Sequence, residues 1–484
     1  MLQIRMNEMT YEYDIHALVK AFFPKEELEF TTGLSPDVTE TYTSLLVFEI
    51  GEDSIIMSFW NANGLYKEYK LNIQEGVDAG IRKNEFKKFL YRSLSDYTGK
   101  ELPWGNLTGI RPTKLAMAKL DKGLTDEEIK DNLMDEHYVS VEKATLAVDI
   151  AKREKEILKD IHYENGYSLY IGIPFCPTTC LYCSFTSYPL CVWEKRMDDY
   201  INALFTEMDA AAELMKGKTL DTVYIGGGTP TTLTAEHLDK LLTKIEATFD
   251  FAHVKEFTVE AGRADSITRE KLEALRKHKV SRISINPQTM HDKTLSLIGR
   301  RHTVAQVEEA FHMARELGFD NINMDIILGL LEETDEDVQY TIDKICELNP
   351  DNLTVHSLAI KRASKLNRFI TENGYMVSNN TDKTMKIAEN GAKRLGMKPY
   401  YLYRQKNMTG NFENVGYAKE GKNGIYNILI MEEKQSIVAL GAGSISKAVY
   451  PDGRIERCDN VKDVALYIEK IGEMIERKRK LFEY

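Results

Sequence analysis

Six short runs rich in β-branched and apolar residues recur between residues 168 and 358: SLYIGI, DTVYIG, KEFTVE, VSRISI, INMDIIL and NLTVHSL. They lie roughly 25 to 50 residues apart, and each is followed by enough chain for a crossover helix, which parallel strands need and hairpins do not. The series therefore predicts an α/β fold: a partial (β/α)6 barrel, or failing that a doubly wound sheet. In both architectures chemistry gathers at the carboxyl ends of the strands. Just past each run stand Cys176, the glycines of GGGT, Glu260, Gln288, Asp325 within the fifth run, and His356 with Ala359 at the sixth. Polar or glycine residues thus collect at one end of every predicted strand.

The flanking segments divide the rest of the chain. Residues 1–105 read as a small α+β domain, with SLLVFEI and SIIMSFW around a Gly-Glu-Asp turn and YKEYKLNI as a further strand. Residues 106–165 read as a helical connector in which Pro112 starts RPTKLAMAKL. The barrel spans 166–360, and 361–484 forms a smaller C-terminal domain. A formal charge of -12 argues against broad binding to nucleic acid or anionic membrane. No uncharged apolar run approaches the roughly 18 residues of a membrane span, and MLQIRMNEMTYEYD is no signal peptide, so a cytoplasmic location is expected.

Cys176, Cys180 and Cys183 fall within LYIGIPFCPTTCLYCSF, whereas Cys191, Cys346 and Cys458 are isolated and read as structural. In a reducing compartment such a cluster is a metal site rather than a set of bridges. A structural zinc would need a fourth ligand, which no nearby Cys or His supplies. Three thiolates can instead hold three irons of a 4Fe-4S cube and leave the fourth open to a small molecule.

The spacing Cys-x3-Cys-x2-Cys, with Tyr182 before the last cysteine and a strand before the first, resembles the radical S-adenosylmethionine superfamily. YIGGGTPTTL is similar to that family's glycine motif, where missing side chains let backbone N–H groups approach a ligand. Over residues 168 to about 360, YIGIPFC, GGGTPT, the Glu260 region, Gln288 with Arg300, and NMDIILGL resemble oxygen-independent coproporphyrinogen III oxidase and its relatives. LPWGNLTGIRPTKLA, VHSLAIKRASKL and YRQKNMTGNFENVGYA look like the HemZ-type branch of that group.

The resemblance implies that Cys176, Cys180 and Cys183 hold the 4Fe-4S cluster while Tyr170, Gly227 and Glu260 serve the S-adenosylmethionine bound to it. It also implies a second S-adenosylmethionine surrounded by Gly228, Thr229, Gln288, Arg300 and Asp325, with Tyr182 and Ala359 lining the site. The reaction it implies is oxidative decarboxylation of coproporphyrinogen III propionates to vinyl groups in haem biosynthesis. A low-potential donor of the flavodoxin or ferredoxin type would supply electrons. For a tetra-anionic substrate the candidate cations are Lys361, Arg362, Lys365, Arg368 and Arg404.

Two departures keep alternatives open. Relatives that oxidise coproporphyrinogen carry a further cysteine where this chain has Phe185, and Gly-Leu-Pro is replaced by Gly329, Leu330 and Leu331. Haem modification by methyl transfer or anaerobic ring opening tolerates Phe185. A haem-trafficking chaperone is a third reading, although its His-Asn-x-x-Tyr-Trp motif is absent because the last tryptophan is Trp193. A plain electron carrier would leave Glu260, Gln288 and Arg300 without a role.

Overall fold

The computed structural model describes residues 2–24, 26–34, 44–61, 64–109, 111–183, 187–360, 365–374, 380–404 and 412–483. The chain folds as two compact units, residues 1–151 with 404–412, and residues 152–403 with 413–484.

In the first unit, β1 (Leu2–Met6), β2 (Leu28–Thr32), β3 (Ser44–Ile50), β4 (Ser54–Asn61) and β5 (Gly64–Asn72) form one sheet in the order β2-β1-β3-β4-β5. β1 is parallel to β2 and β3, and β3-β4-β5 is an antiparallel meander whose first turn is Gly51–Asp53. Helices Glu12–Phe22 and Ala79–Thr98 bury Ile15, Val19, Phe22, Phe86 and Leu90 against Ile4, Phe48 and Met57 of the sheet. Asp78 caps the second helix by accepting from Gly80 and Ile81, and Gly99 ends it in the left-handed conformation.

The second unit is built on six parallel strands in sequence order: β6 (Gly166–Ile173), β7 (Thr219–Gly227), β8 (Glu256–Glu260), β9 (Arg282–Ser284), β10 (Ile322–Leu328) and β11 (Asn352–Ser357). Helices Met197–Leu214, Ala235–Thr248, Arg269–Lys277, Val304–Glu316 and Asp335–Leu348 form the crossovers. Thr234, Thr268, Thr303 and Thr334 cap four of them by accepting the N–H three residues on. This is the partial β/α barrel that the six runs predict. C-terminal strands extend it on both sides. β12 (Lys398–Tyr403) and β13 (Asn414–Ala418) run antiparallel beyond β11, while β14 (Ser436–Leu440) lies parallel to β6 and is followed by β15 (Ile445–Val449) and β16 (Ile455–Asp459).

The barrel strands alternate. Leu169, Ile171, Val223, Ile225, Phe257, Val259, Ile283, Met324, Leu353 and Val355 are buried on one face. The other face carries Ser168 and Tyr170, Thr222 and Tyr224, Glu256, Thr258 and Glu260, Arg282 and Ser284, Asn323 and Asp325, and Thr354 and His356. The register sets Ser168 beside Thr222, Tyr224 beside Thr258, Glu260 beside Ser284 and Asp325 beside Thr354, so these residues share that face. The Thr222 hydroxyl donates to Ser168 at 2.8 Å and Thr354 donates to Asn323 at 2.9 Å across it. Among the described residues no helix is long and apolar enough to cross a membrane.

Candidate active site

Leaving β6, the chain passes Pro174 and Phe175 into the cysteine loop, where the turn after β7 is stitched to it. Gly228 N–H donates to Ile173 O at 2.8 Å and Thr229 N–H to Phe175 O at 2.7 Å. A methyl group on Gly228 would stand 2.6 Å from Phe175 O and 2.9 Å from Ile173 O, so only glycine permits this approach. Gly227, at φ +104°, turns the chain into it.

Cys176 and Cys180 are buried and Cys183 half-buried, and none of them is in a disulfide. The Thr229 hydroxyl lies 3.5 Å from Cys176 Sγ, and Arg263 Nη1 lies 3.9 Å from Cys180 Sγ. Burial pushes the Cys176 thiol up, and the Thr229 hydrogen bond works against it. No three His, Cys, Asp or Glu side chains among the described residues converge as ligands of a single ion. A cubic cluster takes one thiolate on each of three irons, so its sulfurs stand apart, and its thiolates characteristically accept hydrogen bonds. Three cysteines on one loop, outside any disulfide and with O–H and N–H donors aimed at two of them, fit that group. Cys191 is exposed, while Cys346 Sγ sits 3.7 Å from Gly391 O.

Behind the loop lies the polar lumen. Tyr224 donates to Glu260 Oε1 at 2.5 Å, and its ring stacks on Tyr426 at 4.5 Å between centroids, with Tyr170 stacked beside both. Burial raises the Glu260 carboxyl to about 7, against the Tyr224 hydrogen bond that lowers it. Tyr170 OH stands 3.2 Å from where a side chain on Gly227 would begin.

At the opposite wall Gln288 has φ +69°, its N–H donating to Asp325 O and its carbonyl accepting from Ile327 N, each at 2.9 Å. Asp325 accepts from Asn323 Nδ2 at 2.7 Å and lies 3.6 Å from His356 Nε2, whose Nδ1 is 3.3 Å from the Tyr403 hydroxyl. Burial pushes the Asp325 carboxyl up, but the His356, Asn323 and Thr354 contacts outweigh it and hold the group low. Arg300, buried, donates from Nη1 to Asn286 O at 2.6 Å and from Nε to the Tyr182 hydroxyl at 3.2 Å. It thereby ties the segment after β9 to the residue before Cys183.

The structure thus brings Thr229 to Cys176, Tyr182 to Arg300, Gly227 to Tyr170 and Gln288 to Asp325. Ala359 lies two residues past β11, half-buried. Arg404 belongs to the first unit, buried, with Nη1 donating to Leu107 O at 2.6 Å. Lys365 and Arg368 are exposed on the helix Lys365–Asn373. Phe185, Lys361 and Arg362 lie outside the described residues. Tyr224, Arg263, Asp265 and Tyr426 escape the motif reading. The first could have been found from the period-two alternation of the strands, which marks the lumen face.

Residues 170–345 match the Radical SAM superfamily. An oxygen-independent coproporphyrinogen-III oxidase-like protein HemZ from Bacillus subtilis is 41% identical over 408 residues, 83% of this chain and 81% of that protein. The heme chaperone HemW of the same organism is 37% identical over 195 residues, 40% of this chain and 51% of that one, so the chain spans about half the length of that relative. The solved coproporphyrinogen III oxidase HemN from Escherichia coli shares the fold with a TM-score of 0.53 and 22% identity, over 66% of this chain and 73% of that one. The chain belongs to the radical SAM superfamily, whose cofactors are a 4Fe-4S cluster and S-adenosylmethionine, and within it to the HemZ-like relatives of oxygen-independent coproporphyrinogen III oxidase.

Proposed function

We propose that this protein is a radical S-adenosylmethionine enzyme acting on a tetrapyrrole, and that it converts coproporphyrinogen III propionates to vinyl groups without oxygen. The observation that supports the reading is the cysteine triad at 176, 180 and 183, with Glu260 and Asp325 on the lumen face and Gln288 paired to Asp325, in a chain 41% identical to a HemZ protein over 81% of its length. Relatives named for coproporphyrinogen and relatives named for haem share the tetrapyrrole, which supports that substrate class.

Cys176, Cys180 and Cys183 hold the cluster. When bound, the cluster and S-adenosylmethionine would supply one-electron removal of a hydrogen atom from a propionate, and loss of carbon dioxide to give the vinyl group would leave one electron for a one-electron acceptor. The protein's own groups bind and orient. Glu260 would meet the cationic end of the cofactor with Tyr170 and Gly227 beside it, and Gly228 and Thr229 would offer backbone to a second molecule against Gln288, Arg300 and Asp325. Tyr182 and Ala359 complete the lining. The Tyr170–Tyr224–Tyr426 stack lines the lumen beside Glu260, which accepts from the Tyr224 hydroxyl. The electron donor is a low-potential flavodoxin- or ferredoxin-type protein.

The HemW matches favour a second reading, haem handover without turnover. Incubating reconstituted, reduced protein with S-adenosylmethionine and either coproporphyrinogen III or haem, then weighing the products and measuring bound haem, decides between them. Loss of one or two carbon dioxide units with matching 5'-deoxyadenosine supports decarboxylation. Unchanged coproporphyrinogen beside tight, unreacted haem binding overturns it in favour of handover.

A further inference from the structure

Three residues past Glu260, Arg263 is 3% exposed, and its whole guanidinium is engaged. Nε and Nη2 grip the Asp265 carboxylate at 3.0 and 2.6 Å. Nη1 donates to the Thr178 carbonyl and hydroxyl, each at 2.8 Å, and faces Cys180 Sγ at 3.9 Å. The Thr178 hydroxyl in turn donates a hydrogen bond to Gly299 O at 3.1 Å, which fixes the cysteine loop to the segment after β9. His302, buried, stands behind Asp265 with Nδ1 3.8 Å from its carboxylate.

The order of charges is the informative feature. The cation turns its Nη1 edge to the sulfur, and its carboxylate partner sits on the far side. A buried arginine could be held by Asp265 alone, and loop fixation could be done by a neutral donor. A rigid fork that does both while presenting positive charge to one thiolate acts on whatever electron density that thiolate carries. Outer hydrogen bonds and local charge are the protein's means of setting a cluster's potential.

We propose that Arg263 is a positioning residue that raises the reduction potential of the cluster through Cys180, and that Asp265 limits the rise. A three-thiolate cluster gains one negative charge on reduction, so a cation at Cys180 stabilises the reduced form more than the oxidised one. Asp265 partly cancels that effect from further away. The proposal rests on the three-cysteine cluster reading above.

The test is a spectroelectrochemical titration of reconstituted full-length protein, with iron and sulfide content measured on the same samples. Arg263→Gln should move the midpoint to more negative potential, Arg263→Lys should restore most of that shift, and Asp265→Asn should move it the opposite way. A merely structural role for the pair predicts shifts of one sign, or none, because both substitutions would loosen the same loop. Shifts of one sign or unmoved midpoints in loaded protein overturn the proposal. If Arg263→Gln takes up no iron, Asp265→Asn alone decides, since a positive shift supports the proposal and any other result overturns it. A wild-type chain that binds no iron-sulfur cluster overturns the cluster reading and the proposal with it.

Discussion

Glu260 sits in a lumen whose nearest donor is the neutral Tyr224 hydroxyl, and burial holds its carboxyl near 7 against an ordinary 4.5. The folded chain therefore binds more protons here than the unfolded chain between those values, so the protonated group is at ease in the fold at low pH. As pH rises from about 4.5 to about 7 the unfolded chain ionises ahead of the fold, and stability falls by up to about 3 kcal/mol before levelling off. A cation arriving beside Glu260 reverses the preference. If Glu260 meets the charged end of S-adenosylmethionine, binding should release close to one more proton in wild type than in Glu260→Gln at pH 6, and no extra proton at pH 8. The release is read by calorimetry in buffers of different ionisation enthalpy. The substitution should also weaken binding by about 1.5–3 kcal/mol, the range for a charge-assisted hydrogen bond. Equal release from both proteins at pH 6 would place the cation elsewhere.

β9 is the shortest barrel strand, and its continuation shows how an element buys geometry with strain. After Ser284 the chain runs through Asn286 and Pro287 to Gln288, whose φ of +69° costs a non-glycine residue about 1–2 kcal/mol, before re-pairing with β10 at Ile326. Gln288→Gly should therefore melt at or above the temperature of Gln288→Ala, while both lose ligand affinity equally, because they lack the same side chain. A glycine variant that melts lower would show that the conformation is unstrained. The strands themselves were legible because each is a short β-branched run with room for a helix behind it. Cys176, Glu260, Gln288 and Asp325 were legible because the carboxyl ends of such strands form one rim. The left-handed Gln288 and the Tyr426 stack were not, since each depends on partners far along the chain; the Arg263–Asp265 fork is local, but its approach to Thr178 and Cys180 is long-range. The same is true of β12 to β16, whose sequences such as KPYYLY and SIVAL look like strands but whose places beside β11 and β6 arise from long-range pairing.

At the scale of the molecule, the first unit is completed by residues 404–412, which come from deep within the sequence of the second. Within that unit Arg404 is 5% exposed with its Nη1 on Leu107 O, and Phe412 is 4% exposed with the Lys143 ammonium 5.7 Å from its ring centroid. The chain path makes the barrel unit dependent on an element it does not contain. A chain beginning at Lys152 would keep every barrel strand yet lack the Leu107 carbonyl that Arg404 donates to and expose the phenylalanine that the first unit buries. An exposed Phe412 forfeits about 1.5–3 kcal/mol of burial while offering an apolar patch to other copies. Such a truncation should express as mostly insoluble protein with a lowered melting temperature in the soluble part. Arg404→Ser with Phe412→Ser in the truncated chain should recover solubility, because the exposed segment then has nothing buried to lose. Full solubility and an unchanged melt in the unmodified truncation would mean that the segment is a passenger on the first unit. The rescue is the more discriminating half of the experiment, since misfolding of the barrel itself would not respond to two substitutions outside it.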